Sequence, residues 1–269
     1  MTRIPRIVHY VFGLAPDFGG KPWSLVHYAC VRSAIRWIKP EAITLYYEYE
    51  PSGPWWDLTR PLLTPVKIAG PEEIFGNPLL HFAHRADVVR LSKLIADGGI
   101  YLDADVLVQR SFDSLRDDAM VLGQEGQGDR RGLGNAVILA EPNARFLQRW
   151  LEAYRLFRSK GVDAFWNEHS VRIPYWLAGK HPDEIKVLSQ RAFFWPLWLE
   201  DHLRWIFDSA EPIPMEQAYA HHLWESRSWR YLEGLTPATV RARSTNFHRW
   251  VAPYVADLPD DFGAAPSIR

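Results

Sequence analysis

The sequence predicts an α/β fold, a mixed sheet with helices on both faces. Three observations lead there. Short apolar runs rich in β-branched and aromatic residues alternate, along the first half of the chain, with segments of helical periodicity. Hydrophobic residues make up 47% and charged residues 23% of the chain, an ordinary balance for a protein that buries a core. The length, 269 residues, suits one core domain with a small extension, placed here at residues 1–250 and 251–269.

Residues 6–12 (RIVHYVF) read as a buried first strand between Pro5 and Gly13. A Gly- and Pro-rich loop follows at 13–22, then a helix over 23–37 that stops before Pro40. Residues 43–49 alternate as a second strand, 51–65 form a proline-rich connection, and 66–69 a short third strand. The clearest helix spans 81–97. There Val88, Leu91, Leu94 and Ile95 recur at helical spacing, and Gly98-Gly99 supplies the stop. Residues 100–102 then make a short buried strand that ends at Asp103. Further strands are expected at 120–123 and 135–140, separated by the loop QEGQGDRRGLG, and a helix at 145–159. Beyond it the pattern weakens, and 251–269 reads as a peripheral tail.

Several function classes fall away on composition. A formal net charge of -1 and a pI of about 6.8 leave no electrostatic footprint for nucleic acid. The single cysteine, Cys30, excludes an intrachain disulfide and a zinc–thiolate cluster. The first residues, MTRIPRIVHYVFG, lack the long apolar core of a secretory signal. No window reaches the roughly 18 apolar residues of a spanning helix. The expectation is a soluble, cytoplasmic protein whose only membrane contact is peripheral. The unusual number is 13 tryptophans. They fit an aromatic core, stacking platforms for sugar or base rings, or an amphipathic edge at a membrane surface.

Asp103 and Asp105 stand two apart just past an apolar strand. In extended backbone, positions i and i+2 share a face, so both carboxylates converge on one point. Open α/β sheets bind ligands at the carboxyl ends of their strands. Two hard oxygen ligands there suit Mn²⁺ or Mg²⁺ with positions left for phosphate oxygens. Roughly one chance Asp-x-Asp is expected in a chain this long, so two solvated turn carboxylates is the competing reading. An EF-hand is excluded, because Leu107 and Val108 stand where a ligand and a glycine are required. Asp87 and Arg90 sit at i and i+3 on the preceding helix, either as a surface ion pair or as a grip on phosphate and sugar hydroxyls.

The segment RADVVRLSKLIADGGIYLDADV at 85–106 resembles the [A/S]-D-x-x-R-x-x-x-L-x-x-x-G-G-x-Y-x-D-x-D motif of the glycosyltransferase family 32 group. That group includes mannosyltransferases, galactosyltransferases and capsular polysaccharide enzymes. The large clostridial glucosylating toxins carry a similar block. IPRIVHYVFG is similar to the family's opening I-P-K-I-I-H-x-x-W-x-G, with Phe12 replacing the tryptophan, and AHHLWESRSW resembles its H-x-W segment. The resemblance implies a GT-A-type, Rossmann-like fold and a nucleotide-sugar donor, UDP-linked in preference to GDP-linked. It also implies retention of anomeric configuration and a glycan or lipid-linked acceptor. The donor would be held by Val11, Phe12, Ala86, Asp87, Arg90, Tyr101, Asp103 and Trp224. The metal would be held by Asp103, Asp105 and His222.

Arg90, Asn135, Asp103 and Asp105 are the expected catalytic set, although Asn135 is equally a turn former. An inverting enzyme would need a carboxylate base, and Glu125, Asp129 and Glu168 are the candidates. The loop at 123–134 has the wrong glycine spacing for a dinucleotide fingerprint and reads as a mobile flap over the donor. Two other classes stay open. One is a metal-dependent nucleotidyl- or phosphotransferase, the other a non-catalytic carbohydrate-binding protein.

Overall fold

A computed structural model describes residues 2–264 of the chain. Its strands are β1 (Ile7–Val11), β2 (Ala42–Tyr47), β3 (Thr64–Lys67), β4 (Glu73–Ile74), β5 (Asn77–Pro78), β6 (Gly99–Leu102), β7 (Val106–Val108), β8 (Met120–Glu125), β9 (Gly132–Ala140), β10 (Lys186–Leu188) and β11 (Ala220–His222). Seven of them form one sheet in the order β10-β8-β9-β6-β1-β2-β3. Only β9 runs against the rest, so the sheet is mixed as expected. β11 pairs antiparallel with β7 outside this sheet, and β4 with β5.

The helices are α1 (Leu25–Ile38), α2 (Pro54–Thr59), α3 (Phe82–Asp97), α4 (Arg145–Ala153), α5 (Ile173–Lys180), α6 (Glu200–Phe207), α7 (Glu225–Leu232), α8 (Pro237–Arg241) and α9 (Asn246–Val255). Strand alternation divides their packing into two cores. Ile100, Leu102, Val137 and Leu139 face one core with α1, α2, α6 and α9. Tyr101, Ile138 and Ala140 face the other, with α3, α4 and α5. α3 begins where His81 Nδ1 accepts from the Ala83 N–H and ends at Gly98, whose φ is 64°.

Five expectations are corrected. The connection at 51–65 contains α2, where Pro54 opens the helix and Trp55 and Trp56 are buried. The third strand begins at Thr64, two residues early, because β3 is the sheet edge and tolerates Pro65. The expected helix at 145–159 ends at Ala153 and tightens into a 3₁₀ turn, Tyr154–Leu156. β8 and β9 extend to Glu125 and back to Gly132, so the expected flap shrinks to the hairpin tip at 126–131. The boundary at 250/251 falls inside α9, and Val251, Tyr254 and Val255 are buried in the first core, not in a peripheral tail. Residues 265–269 of that tail lie outside the described residues. No helix among the described residues is long and apolar enough to cross a membrane.

Candidate active site

β6 delivers Asp103 to the carboxyl end of the sheet, beside the carboxyl end of β1. The triplet itself is not extended. The Val106 N–H donates to the Asp103 carbonyl at 3.0 Å, closing a turn, while the Asp103 N–H donates to the Ala136 carbonyl at 2.8 Å. The two carboxylates therefore converge because the chain turns at Ala104 and not through the two-residue repeat of a strand. β11 brings in the third group. His222 stands opposite Val106 in the β11–β7 ladder, and its Nε2 lies 3.3 Å from Asp105 Oδ2. One ligand atom each from Asp103, Asp105 and His222 lie within 4.8 Å of one another.

α3 supplies the brace. Arg90 is buried, with its guanidinium 4.4 Å from the centre of the Tyr101 ring. Its Nη1 lies 3.1 Å from Asp103 Oδ1 and donates to the Asn135 carbonyl at 2.8 Å, and its Nη2 is 3.5 Å from Asp87 Oδ1. The Asn135 amide donates to the same Asp87 oxygen at 2.7 Å, and the Tyr101 hydroxyl to Asp103 Oδ1 at 2.6 Å. Burial works against the charge on Arg90, yet Asp103, Tyr101 and Asp87 together raise its pKa above the usual arginine value. Burial raises Asp87, and Arg90 opposes that rise. Asp87 and Arg90 are thus a buried clamp, not a surface pair.

Asp105 is held as an anion. Burial would push its pKa up, but the His222 imidazole and the Glu225 backbone N–H, which donates at 2.8 Å, hold it at about 2. That N–H belongs to the first turn of α7, so the helix N-terminus points at the acidic turn. The donor set passes a chemical test for a divalent ion. Among the described residues Asp103 Oδ2 and Asp105 Oδ1 have no hydrogen-bond partner, leaving one hard oxygen from each acid beside an imidazole.

Two clefts meet at this point. The first, about 470 Å³, runs past Val11, Phe12, Leu14 and Phe18 and is largely apolar. The second, about 530 Å³, is lined by Asp87, Glu125, Asn135, Trp198, Trp224 and Arg227. Arg90, Asp103 and His222 line both. In the second cleft burial pushes the Glu125 carboxyl up to about 7; His222 opposes the rise and Asp103 adds to it.

A protein from Cryptococcus neoformans var. grubii, "Glucan organizing enzyme 1", is 42% identical over 269 residues, covering 96% of this chain and 72% of that protein. Residues 70–122, which hold α3 and the acidic turn, match the family described as "Glycosyltransferase sugar-binding region containing DXD motif". The chain belongs to the DXD-motif glycosyltransferases. The solved apo structure of the WbbM bifunctional glycosyltransferase shares its fold, with a TM-score of 0.50, 10% identity, and coverage of 96% of this chain and 50% of that one. The fold of this glycosyltransferase is accordingly of the GT-A type.

Within the enzyme, Val11, Phe12, Ala86 and Tyr101 line the first cleft. Phe12 stacks on Phe18 and meets Trp23 and His27 edge-on, so one aromatic cluster builds this wall. Trp224 lies on the wall of the second cleft, its N–H donating to the Pro196 carbonyl at 2.8 Å. Of the candidate bases, Glu125 and Asp129 line the second cleft, while Glu168 is tied to Arg158 outside both. Sequence reasoning passed over His27 and Glu225, which line the first cleft and pair at 2.9 Å. His27 follows the helix-opening Ser24 by three positions, and Glu225 follows Trp224 directly. Neither spacing carries a signal of its own.

Proposed function

We propose that this glycosyltransferase binds a nucleoside-diphosphate sugar across both clefts and passes the sugar to a glycan hydroxyl. The observation that carries this is the junction itself, where Asp103, Asp105 and His222 converge between an apolar cleft and a polar one. The nucleoside would lie against Val11 and Phe12, the diphosphate at the N-terminus of α7, and the sugar beside Asp87, Arg90 and Asn135. Uridine is preferred over guanosine. The acids lining the first cleft, Asp103, Asp105 and Glu225, are gathered at the acidic turn. Mn²⁺ or Mg²⁺ would be held by Asp103, Asp105 and His222, and when bound would neutralise charge on the departing diphosphate. Arg90 keeps Asp103 and Asp87 in place for that contact, and the Asn135 amide holds Asp87 by donating to its Oδ1. The fungal relative's name ties that protein to glucan, and by that likeness the acceptor here is a polysaccharide or its precursor.

Retention is the expected outcome, with the leaving diphosphate taking the acceptor proton on the reacting face. A second reading, inversion with Glu125 as base, is favoured by that carboxyl's place in the second cleft and its pKa near neutrality. NMR of the product anomer separates the two. The donor reading is tested by thermal shift with UDP- and GDP-sugars, with Mn²⁺ or with EDTA. Stabilisation by a UDP-sugar that requires Mn²⁺ is expected. Equal stabilisation in EDTA would overturn the metal assignment, and no response to any nucleotide sugar would overturn the donor.

A further inference from the structure

Twelve of the 13 tryptophans are buried or half-buried, and one is not. Trp176 is 59% exposed, and its neighbour Tyr175 is 40% exposed. Both ride on α5, which is anchored through buried Pro174 and Leu177. Leaving a tryptophan in water forgoes the burial that the others obtain. The two rings, with Arg131, Arg172 and Asp129, line a shallow depression of about 340 Å³. Asp129 and Arg172 also line the second cleft, so the depression continues outward from the junction at Asp103.

We propose that the Tyr175–Trp176 face is an outer acceptor subsite. It would hold a neutral oligosaccharide chain some residues away from the hydroxyl that receives the sugar. The chemistry is that of sugar recognition. An aromatic face accepts the C–H face of a pyranose ring, while guanidinium and carboxylate groups beside it bond to the hydroxyls. The inference rests on the proposed function, in which the donor sugar lies in the second cleft and the acceptor meets it there.

The test is direct binding of linear gluco- and manno-oligosaccharides, from mono- to hexasaccharide, to wild type, Trp176→Ala and Trp176→Phe, by NMR titration. Wild type is expected to bind longer members more tightly. Trp176→Ala should lose that gain, roughly tenfold for the longest, and Trp176→Phe should recover part of it. In turnover with a long acceptor, Trp176→Ala should raise KM by a similar factor and spare kcat. Unchanged melting would show that the exposed site is not structural. The subsite is overturned if no oligosaccharide binds with length dependence, or if Trp176→Ala binds the hexasaccharide like wild type. It is also overturned if the variant changes only self-association in sedimentation or retention on phosphatidylcholine vesicles, which would assign the face to a protein or a bilayer. The thermal shift with nucleotide sugars is read separately, so the donor reading can fail while chain binding stands, and the reverse.

Discussion

Asp105 accepts from a helix-terminal N–H and lies beside an imidazole, and the two keep it charged at about 2 despite burial. Asp105→Asn preserves volume and one hydrogen-bond acceptor while removing the charge. Turnover should fall by about 100-fold or more, with the circular dichroism spectrum unchanged. Wild-type turnover in that variant would remove the acidic turn from the chemistry. Glu125 has the opposite shift, from 4.5 to about 7. The folded state therefore holds a proton that the unfolded chain releases. The stability it contributes is present below about pH 4.5 and is lost as pH rises through about 7. The loss is on the order of 3 kcal/mol. Glu125→Gln should flatten the fall in Tm between about pH 5 and about pH 8 and raise Tm at the alkaline end. A parallel decline in both proteins would place the titrating group elsewhere.

The link from α3 into β6 is where an element, more than a residue, makes the site. Gly99 has a φ of 110°, and a Cβ there would stand 2.5 Å from the Ile7 carbonyl oxygen. Gly99→Ala should cost about 2–4 kcal/mol in urea unfolding and lower activity as well, since β6 would no longer seat Asp103. An unchanged midpoint would mean that the β1–β6 contact is looser than the structure shows. The glycine pair and α3 were legible because each uses local chemistry, a periodic apolar face and a stop. The extension of β8 and β9 into the loop between them was not. QEGQGDRRGLG is polar and glycine-rich, and it pairs because Gly134 lets Phe194 and Glu125 pack against bare backbone.

Across the whole molecule, the last described helix closes the core over α1 and α6. Val251, Tyr254 and Val255 fill it. Three such side chains represent on the order of 6 kcal/mol of burial, comparable with the net stability of a domain. A chain ended after Trp250 should lose cooperative thermal unfolding and enter the insoluble fraction. A truncated protein with wild-type Tm would restore the peripheral tail.

The motif resemblance singled out Asp87, Arg90, Asp103 and Asp105, and short-range patterning alone determined the α/β class, α3 and the strand that carries Asp103. It did so because periodicity, capping and turn chemistry act over a few residues. Only the tertiary structure decided that the acidic residues converge through a turn and that His222 reaches them across the β11–β7 ladder. It alone decided that His27, Glu125 and Glu225 join them and that α9 is core. Those outcomes come from pairing and packing between segments far apart in the chain, where the energy resides in the contact and leaves no trace in either segment by itself.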